Sequence, residues 1–371
     1  MSTKTFMRFA RGPNERRTIS REDVGFYNAL IIAGLYEVGS EDVDIHSAQL
    51  YIRPLKHCIE KHSFLGVVVN DKHTEQPAFE AVSTIDLHDH LANSQDHGTG
   101  LEGELNFFKK VLPPILDRPW PANIPPWRIV VLSLTAPPDC TIKRCLVAFS
   151  FSHTLGDGMS AIAFHRNFLE GWRLATSTDQ KGSLSVSPPS RLLPEPFDTP
   201  DKLPISWNFL LSPLLAVHLP HFLSEMIGLR ATASTVDAGT WIGSPIFFKP
   251  PPAPPSRLRT LEINAPLVQT ALHVSRHHDT KLTATMHQFI IRALSKAIPD
   301  PSMVSGTAVD MRRSIGTPSE KWGLFVSAHY EIHPRCLGVA GPTLSDEMWA
   351  AASSMTKKLA ECGTRLHAAK L

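Results

Sequence analysis

The stretch Ala148-Phe-Ser-Phe-Ser-His153-Thr-Leu-Gly-Asp157-Gly158-Met-Ser160 decides how the chain is read. An apolar run ends at a histidine, two glycines follow within five residues, and a new apolar pattern begins. Upstream, Arg144–Ser152 and Trp127–Thr135 read as two strands, rich in β-branched and aromatic residues. Pro137-Pro138-Asp139 lies between them and predicts an antiparallel hairpin with a long loop. Downstream, Met159, Ile162, Ala163, Leu169 and Trp172 recur at helical spacing, and Phe164 and Phe168 broaden that face.

A histidine at the end of a buried strand stands where core meets cleft. Imidazole, with a free pKa of about 6.5, is matched to removing a proton from a hydroxyl near neutral pH. The glycines are expected to let the chain turn sharply and to let a thin ligand approach the backbone. Asp157 has two uses open to it: capping the helix that starts at Gly158, or pairing with a basic residue elsewhere. His-x-x-x-Asp alone recurs by chance, so its weight comes from its setting of strand, turn and helix, the rigid frame that a pre-organised site needs.

Working outward, Ser20 and Asp23 read as a helix start, with Val24, Tyr27, Ile31 and Leu35 as its apolar stripe. A second helix is expected over about Ser47–His62, with Pro54 predicting a kink or a late start. Phe64–Asn70 reads as a buried strand, and residues 86–125 give no clear pattern. Beyond residue 176, a Ser/Pro/Asp-rich connection and the proline cluster at 250–255 frame Leu203–Ser224, which contains no Asp, Glu, Lys or Arg. Pro204, Pro213 and Pro220 interrupt that segment, so it reads as a covering or membrane-surface segment rather than a span. Further on, the pattern predicts a strand at Arg259–Ile263 and a helix at Ala284–Ala297. Thr283 is its expected N-cap, and Met286, Phe289, Ile290, Ala293 and Leu294 its expected inner face. Strands near Met303–Val309 and Leu324–Ile332 follow, then a helix over Ser345–Glu361 with Met348, Ala352, Met355 and Leu359 inward. The class is α+β (mixed α/β).

The 371 residues suffice for two domains, and 42% hydrophobic residues allow a sizeable core. A net charge of +2 gives no argument for nucleic acid. Five scattered cysteines without Cys-x-x-Cys spacing read as reduced thiols of an intracellular, cytoplasmic protein. The 18 histidines include no His-Glu-x-x-His, so no metal site is expected. No Gly-x-Ser-x-Gly elbow, phosphate loop or dinucleotide fingerprint occurs. Arg257, Arg259, Arg276 and Lys281 read as a solvated basic face, with CoA phosphates as the alternative.

The motif Ala148–Ser160, together with Gly306-Thr-Ala-Val-Asp310-Met-Arg312-Arg313, resembles the fungal alcohol O-acetyltransferase family. That family belongs to the superfamily of chloramphenicol acetyltransferase-like folds, plant acyltransferases and nonribosomal-peptide condensation domains. Gly25-Phe-Tyr-Asn and Leu50-Tyr-Ile-Arg-Pro-Leu fit in character. The resemblance implies two chloramphenicol acetyltransferase-like domains with mixed sheets, here 1–175 and 257–371, joined by a long crossover at 176–256. It implies a tunnel in which acyl-CoA, most simply acetyl-CoA, and a small apolar alcohol meet at His153 as general base. Asp157 and Gly158 then belong to a structural motif, with Asp157 paired to Arg312 or Arg313 and Asp310 alongside. Two departures stand out. Ser152 replaces the first of the two histidines usual in condensation domains, and nothing like the plant Asp-Phe-Gly-Trp-Gly motif occurs before Lys370-Leu371. The second domain therefore reads as truncated, with an open sheet edge and an exposed apolar patch expected. A non-catalytic homologue that only binds ligand or partner, and an amide-forming condensation enzyme, are the rival readings.

Overall fold

The two apolar runs before His153 pair as expected: Trp127–Leu134 and Lys143–Phe151 form an antiparallel ladder with Trp127 opposite Phe151. In the computed structural model, residues 6–26, 28–39, 43–94, 103–134, 142–174, 183–199, 202, 218–220, 223, 239–243, 255–336 and 343–368 are described. In chain order the strands are β1 (Met7–Phe9), β2 (Leu30–Val38), β3 (Val67–Asn70), β4 (Ala78–Ala81), β5 (Ile85–Asp86), β6 (Leu91–Ser94), β7 (Trp127–Leu134), β8 (Lys143–Phe151), β9 (Ser185–Val186), β10 (Thr240–Trp241), β11 (Ser302–Asp310) and β12 (Val326–Pro334). The helices are α1 (Pro13–Asp23), α2 (Gln49–Lys61), α3 (Gly103–Asp117), α4 (Gly158–Arg173), α5 (Ala265–His277), α6 (Leu282–Ala297) and α7 (Asp346–Ala368).

The chain forms two compact units. The first comprises Met1–Thr199, Phe248–Thr260 and Pro318–Phe325; the second comprises Pro200–Phe247, Leu261–Thr317 and Val326–Leu371. The first unit is built on the sheet β2-β8-β7-β6. Because side chains alternate along β8, Cys145, Val147, Phe149 and Phe151 join the main core, while Leu146 and Ala148 face a second cluster with Phe107, Val111 and Leu112 of α3. α4 covers the main core with Ala161, Phe164 and Phe168, and Phe164 stacks on Phe149 at 3.8 Å. Ile162 and Leu169, expected inward, are exposed, so the buried stripe is rotated from the one read in the sequence. α2 packs on α4 where Gly171 leaves room for Pro54 and His57. α2 continues through Pro54 rather than starting after it.

Other expectations are corrected. The stripe from Val24 to Leu35 is not one helix. α1 ends at Asp23, Gly25 takes φ +71°, and β2 then pairs with β8 along nine residues. Residues 63–66 form a 3-10 turn before the strand begins at Val67. The unassigned region 86–125 supplies β6 and α3. Leu203–Ser224 and the proline cluster lie largely outside the described residues. Among those described, no helix is long and apolar enough to cross a membrane.

In the second unit, β11 pairs antiparallel with β12 and parallel with β10. α7 lays Ala352 and Met355 against Ala284 of α6, with Leu359 beside them, and Met348 is buried as well. Arg259–Ile263 is not a strand, and α5 follows it. α6 is capped at Lys281, without a side-chain bond, rather than at Thr283. It buries Ala284, Thr285, Gln288 and Ile291, while Met286, Phe289 and Ile290 are exposed. The inner face read from periodicity is thus the outer one. β12 is one edge of the described sheet β10-β11-β12, and its Tyr330 is exposed.

Candidate functional site

β8 ends at Phe151, and His153 stands two residues beyond it. Its neighbours are fixed on both sides. The Ser152 amide donates to Pro126 O at 2.8 Å. Ser152 Oγ bonds Glu22 and lies 2.7 Å from Thr154 Oγ1, and it also accepts from the Thr154 amide at 3.1 Å. Glu22, at the end of α1, also holds Lys72. An ion pair therefore anchors the residues before and after the histidine, and both Ser152 and Thr154 are buried.

His153 Nδ1 lies 2.8 Å from Gly156 O. A carbonyl only accepts, so Nδ1 carries the hydrogen and Nε2 is the basic nitrogen. Burial pushes the imidazole below its ordinary 6.5, with the Gly156 carbonyl opposing. The ring is neutral at pH 7 and able to accept a proton.

Asp157 caps α4: Oδ1 accepts from the Ser160 amide at 2.9 Å and from Ser160 Oγ at 3.0 Å. Its other oxygen accepts from the Phe325 amide at 2.9 Å. That contact belongs to a strap, residues 322–325, which lies in the same unit. Trp322 Nε1 donates to Leu155 O at 2.6 Å, the Gly323 amide donates to Ser160 Oγ at 3.1 Å, and the Trp322 ring packs near His62 and Phe149. Gly323 takes φ +148°, where a side chain would strike the Phe325 ring. Leu324, expected to open a strand, belongs instead to this strap, and the strand begins at Val326.

The glycine expectation needs revision. Neither Gly156 nor Gly158 has a positive φ. Gly156 is required by space, since a Cβ there would meet Ser160 and Trp322 within 3 Å, whereas nothing lies within 4 Å of one at Gly158.

In the second unit, Arg312 is fully buried just beyond β11 and bonds Asp310 Oδ1 through Nη1 at 2.9 Å, while Arg313 is exposed. Arg257, Arg259, Arg276 and Lys281 are exposed. Among the described residues no group of His, Cys, Asp and Glu is arranged to hold a metal.

No family model matches the sequence. An uncharacterised protein of Schizosaccharomyces pombe is 21% identical over 325 residues, covering 86% of this chain. The chain spans 64% of that relative's length. Among solved structures, the trichothecene 15-O-acetyltransferase TRI3 from Fusarium sporotrichioides matches with a TM-score of 0.62 at 12% identity, over 100% of this chain and 76% of that one. The first condensation domain of the calcium-dependent antibiotic synthetase matches at 0.61 and 12%, over 96% and 74%. TRI101 of F. graminearum, complexed with ethyl coenzyme A, matches at 0.51 and 13%, over 98% and 78%. At these identities the likeness establishes the fold, a mixed α/β two-domain condensation and acetyltransferase type.

Proposed function

We infer that the chain is an acyl-CoA-dependent O-acyltransferase, most simply an acetyltransferase, acting on the hydroxyl of a small apolar metabolite. The observation that carries this reading is the neutral His153 ring, whose Nδ1–H is committed to Gly156 O so that Nε2 is the base. Nε2 takes the hydroxyl proton as the alcohol oxygen attacks the thioester carbonyl. The tetrahedral intermediate then collapses: the C–S bond breaks, and the leaving thiolate takes the proton back from Nε2. No serine or cysteine nucleophile is needed when both substrates bind together.

The shared fold of acetyltransferases, one of them solved with ethyl coenzyme A, supports a CoA thioester as donor. Asp157 is structural in this scheme, capping α4 and holding the strap. The likeness to a condensation domain favours one second reading, amide formation from a carrier-bound thioester. Against it, Ser152 Oγ is committed to Glu22 and Thr154 and is no substitute for a second imidazole. Purified protein incubated with acetyl-CoA and a panel of alcohols and amines, monitored for free CoA, tests the assignment. Release with alcohols is expected; release with amines alone replaces ester by amide formation, and release with neither rejects the CoA-dependent reading, leaving amide formation to be assayed with a carrier-bound thioester.

A further inference from the structure

We propose that a cleft in the first unit, between the end of β3 and the loop before β7, seats the carbon body of the acceptor alcohol. The inference rests on the acyltransferase reading. The cleft holds about 220 Å³ and is lined by Val68, Asn70, Lys72, Trp120, Ile124 and Pro126 among others. Drug-sized pockets begin at about 300 Å³, so the space fits one ring or a short branched chain rather than CoA.

Its walls are built in advance. Trp120 Nε1 donates to Asn28 O at 2.8 Å, and the Arg128 guanidinium lies 4.1 Å from the indole centroid. Arg128 is itself held by the carbonyls of Arg118 and Pro119. The indole is therefore a fixed platform whose position costs no ordering when a ligand arrives. Asn123 at φ +64° sets the turn of the loop that carries it.

Charge selects the ligand. The lining cation, Lys72, is already paired with Glu22, and Asn70 donates to Glu80. A phosphate would find its counter-charge spent, whereas a neutral body that sets a carbon ring against Trp120 and Val68 and turns polar atoms toward Asn70 and Lys72 matches a lining of mixed character. Location completes the argument. Pro126, in the wall, accepts the amide of Ser152, and Lys72 reaches Ser152 through Glu22. The cleft thus adjoins the residue that precedes the base.

The test uses 2-phenylethanol and ethanol as probes on the full chain. Ala122 is exposed at the cleft and can be enlarged without touching the core. In the wild type, 2-phenylethanol should shift the Trp120 indole N–H resonance, assigned by its loss in Trp120→Phe. In Ala122→Phe, kcat/KM for 2-phenylethanol relative to ethanol should fall at least about tenfold, with KM for acetyl-CoA unmoved. An unshifted Trp120, an unchanged ratio, or a change confined to acetyl-CoA overturns the cleft assignment while leaving the acyltransferase reading intact. A shift without CoA release from any alcohol supports the cleft as an alcohol site and sinks the acyltransferase reading alone.

Discussion

The turn after His153 offers a paired test, because its two glycines are there for different reasons. In Gly156→Ala the new Cβ would lie 2.8 Å from Ser160 Cβ and Oγ and 2.9 Å from Trp322 Nε1. Neither neighbour yields easily: Ser160 is buried in the first turn of α4, and the indole is pinned to Leu155 O. Overpacking of this kind costs about 1–3 kcal/mol. The stiffer unfolded chain returns about 0.4–1 kcal/mol, since φ at 156 suits an L-residue. The net expectation is a loss of about 1–2 kcal/mol. Gly158→Ala meets no atom within 4 Å, so only the favourable term remains. Urea midpoints at unchanged m should therefore separate the two variants by about 2 kcal/mol. Turnover adds a second reading, because the carbonyl that orients His153 belongs to residue 156. Displacing that carbonyl should lower kcat by roughly 10-fold or more. Equal stability of the two variants, or full turnover in Gly156→Ala, would refute the steric argument.

Glu22→Gln removes the anion that holds Lys72 and Ser152; it should cost about 2 kcal/mol and lower kcat with little change in either KM, read by denaturation and steady-state kinetics. His62 and His90 are buried and held at about 4, while in the unfolded chain they titrate near 6.5. Stability should be full above pH 6.5, fall by about 3 kcal/mol per histidine as pH drops to 4, and level below; a flat profile between pH 7 and 4.5 contradicts this. His153 is also depressed, so the acid limb of kcat/KM should lie below 6.5, and a limb above it would show the ring is not buried as described. Phe289→Ser on the exposed face of α6 should shift stability by no more than about 0.5 kcal/mol, whereas a core position would lose about 3–5 kcal/mol.

The sequence made the β7–β8 hairpin, α2, α4 and α7 legible because each rests on a long apolar run or a local motif. β2 was misread because its apolar residues also fit a helical period; only its nine-residue pairing with β8 decides between the two. The face of α6 was misread for a related reason. Met286, Phe289 and Ile290 form the stronger apolar stripe, yet the helix buries Ala284, Thr285 and Gln288 instead. At the site, Glu22 and Trp322 were invisible because they meet the motif across 130 and 167 residues of chain, and no local pattern encodes such a meeting. Asp157 had two readings, and the structure shows its cap directly.

The most direct measurement is CoA release from acetyl-CoA and an accepted alcohol by His153→Ala, with folding checked by its denaturation midpoint. The mechanism predicts a fall in kcat of about 10²–10⁴ in a variant that unfolds like the wild type. Unchanged turnover in that well-folded variant would contradict His153 as the base, and with it the central claim.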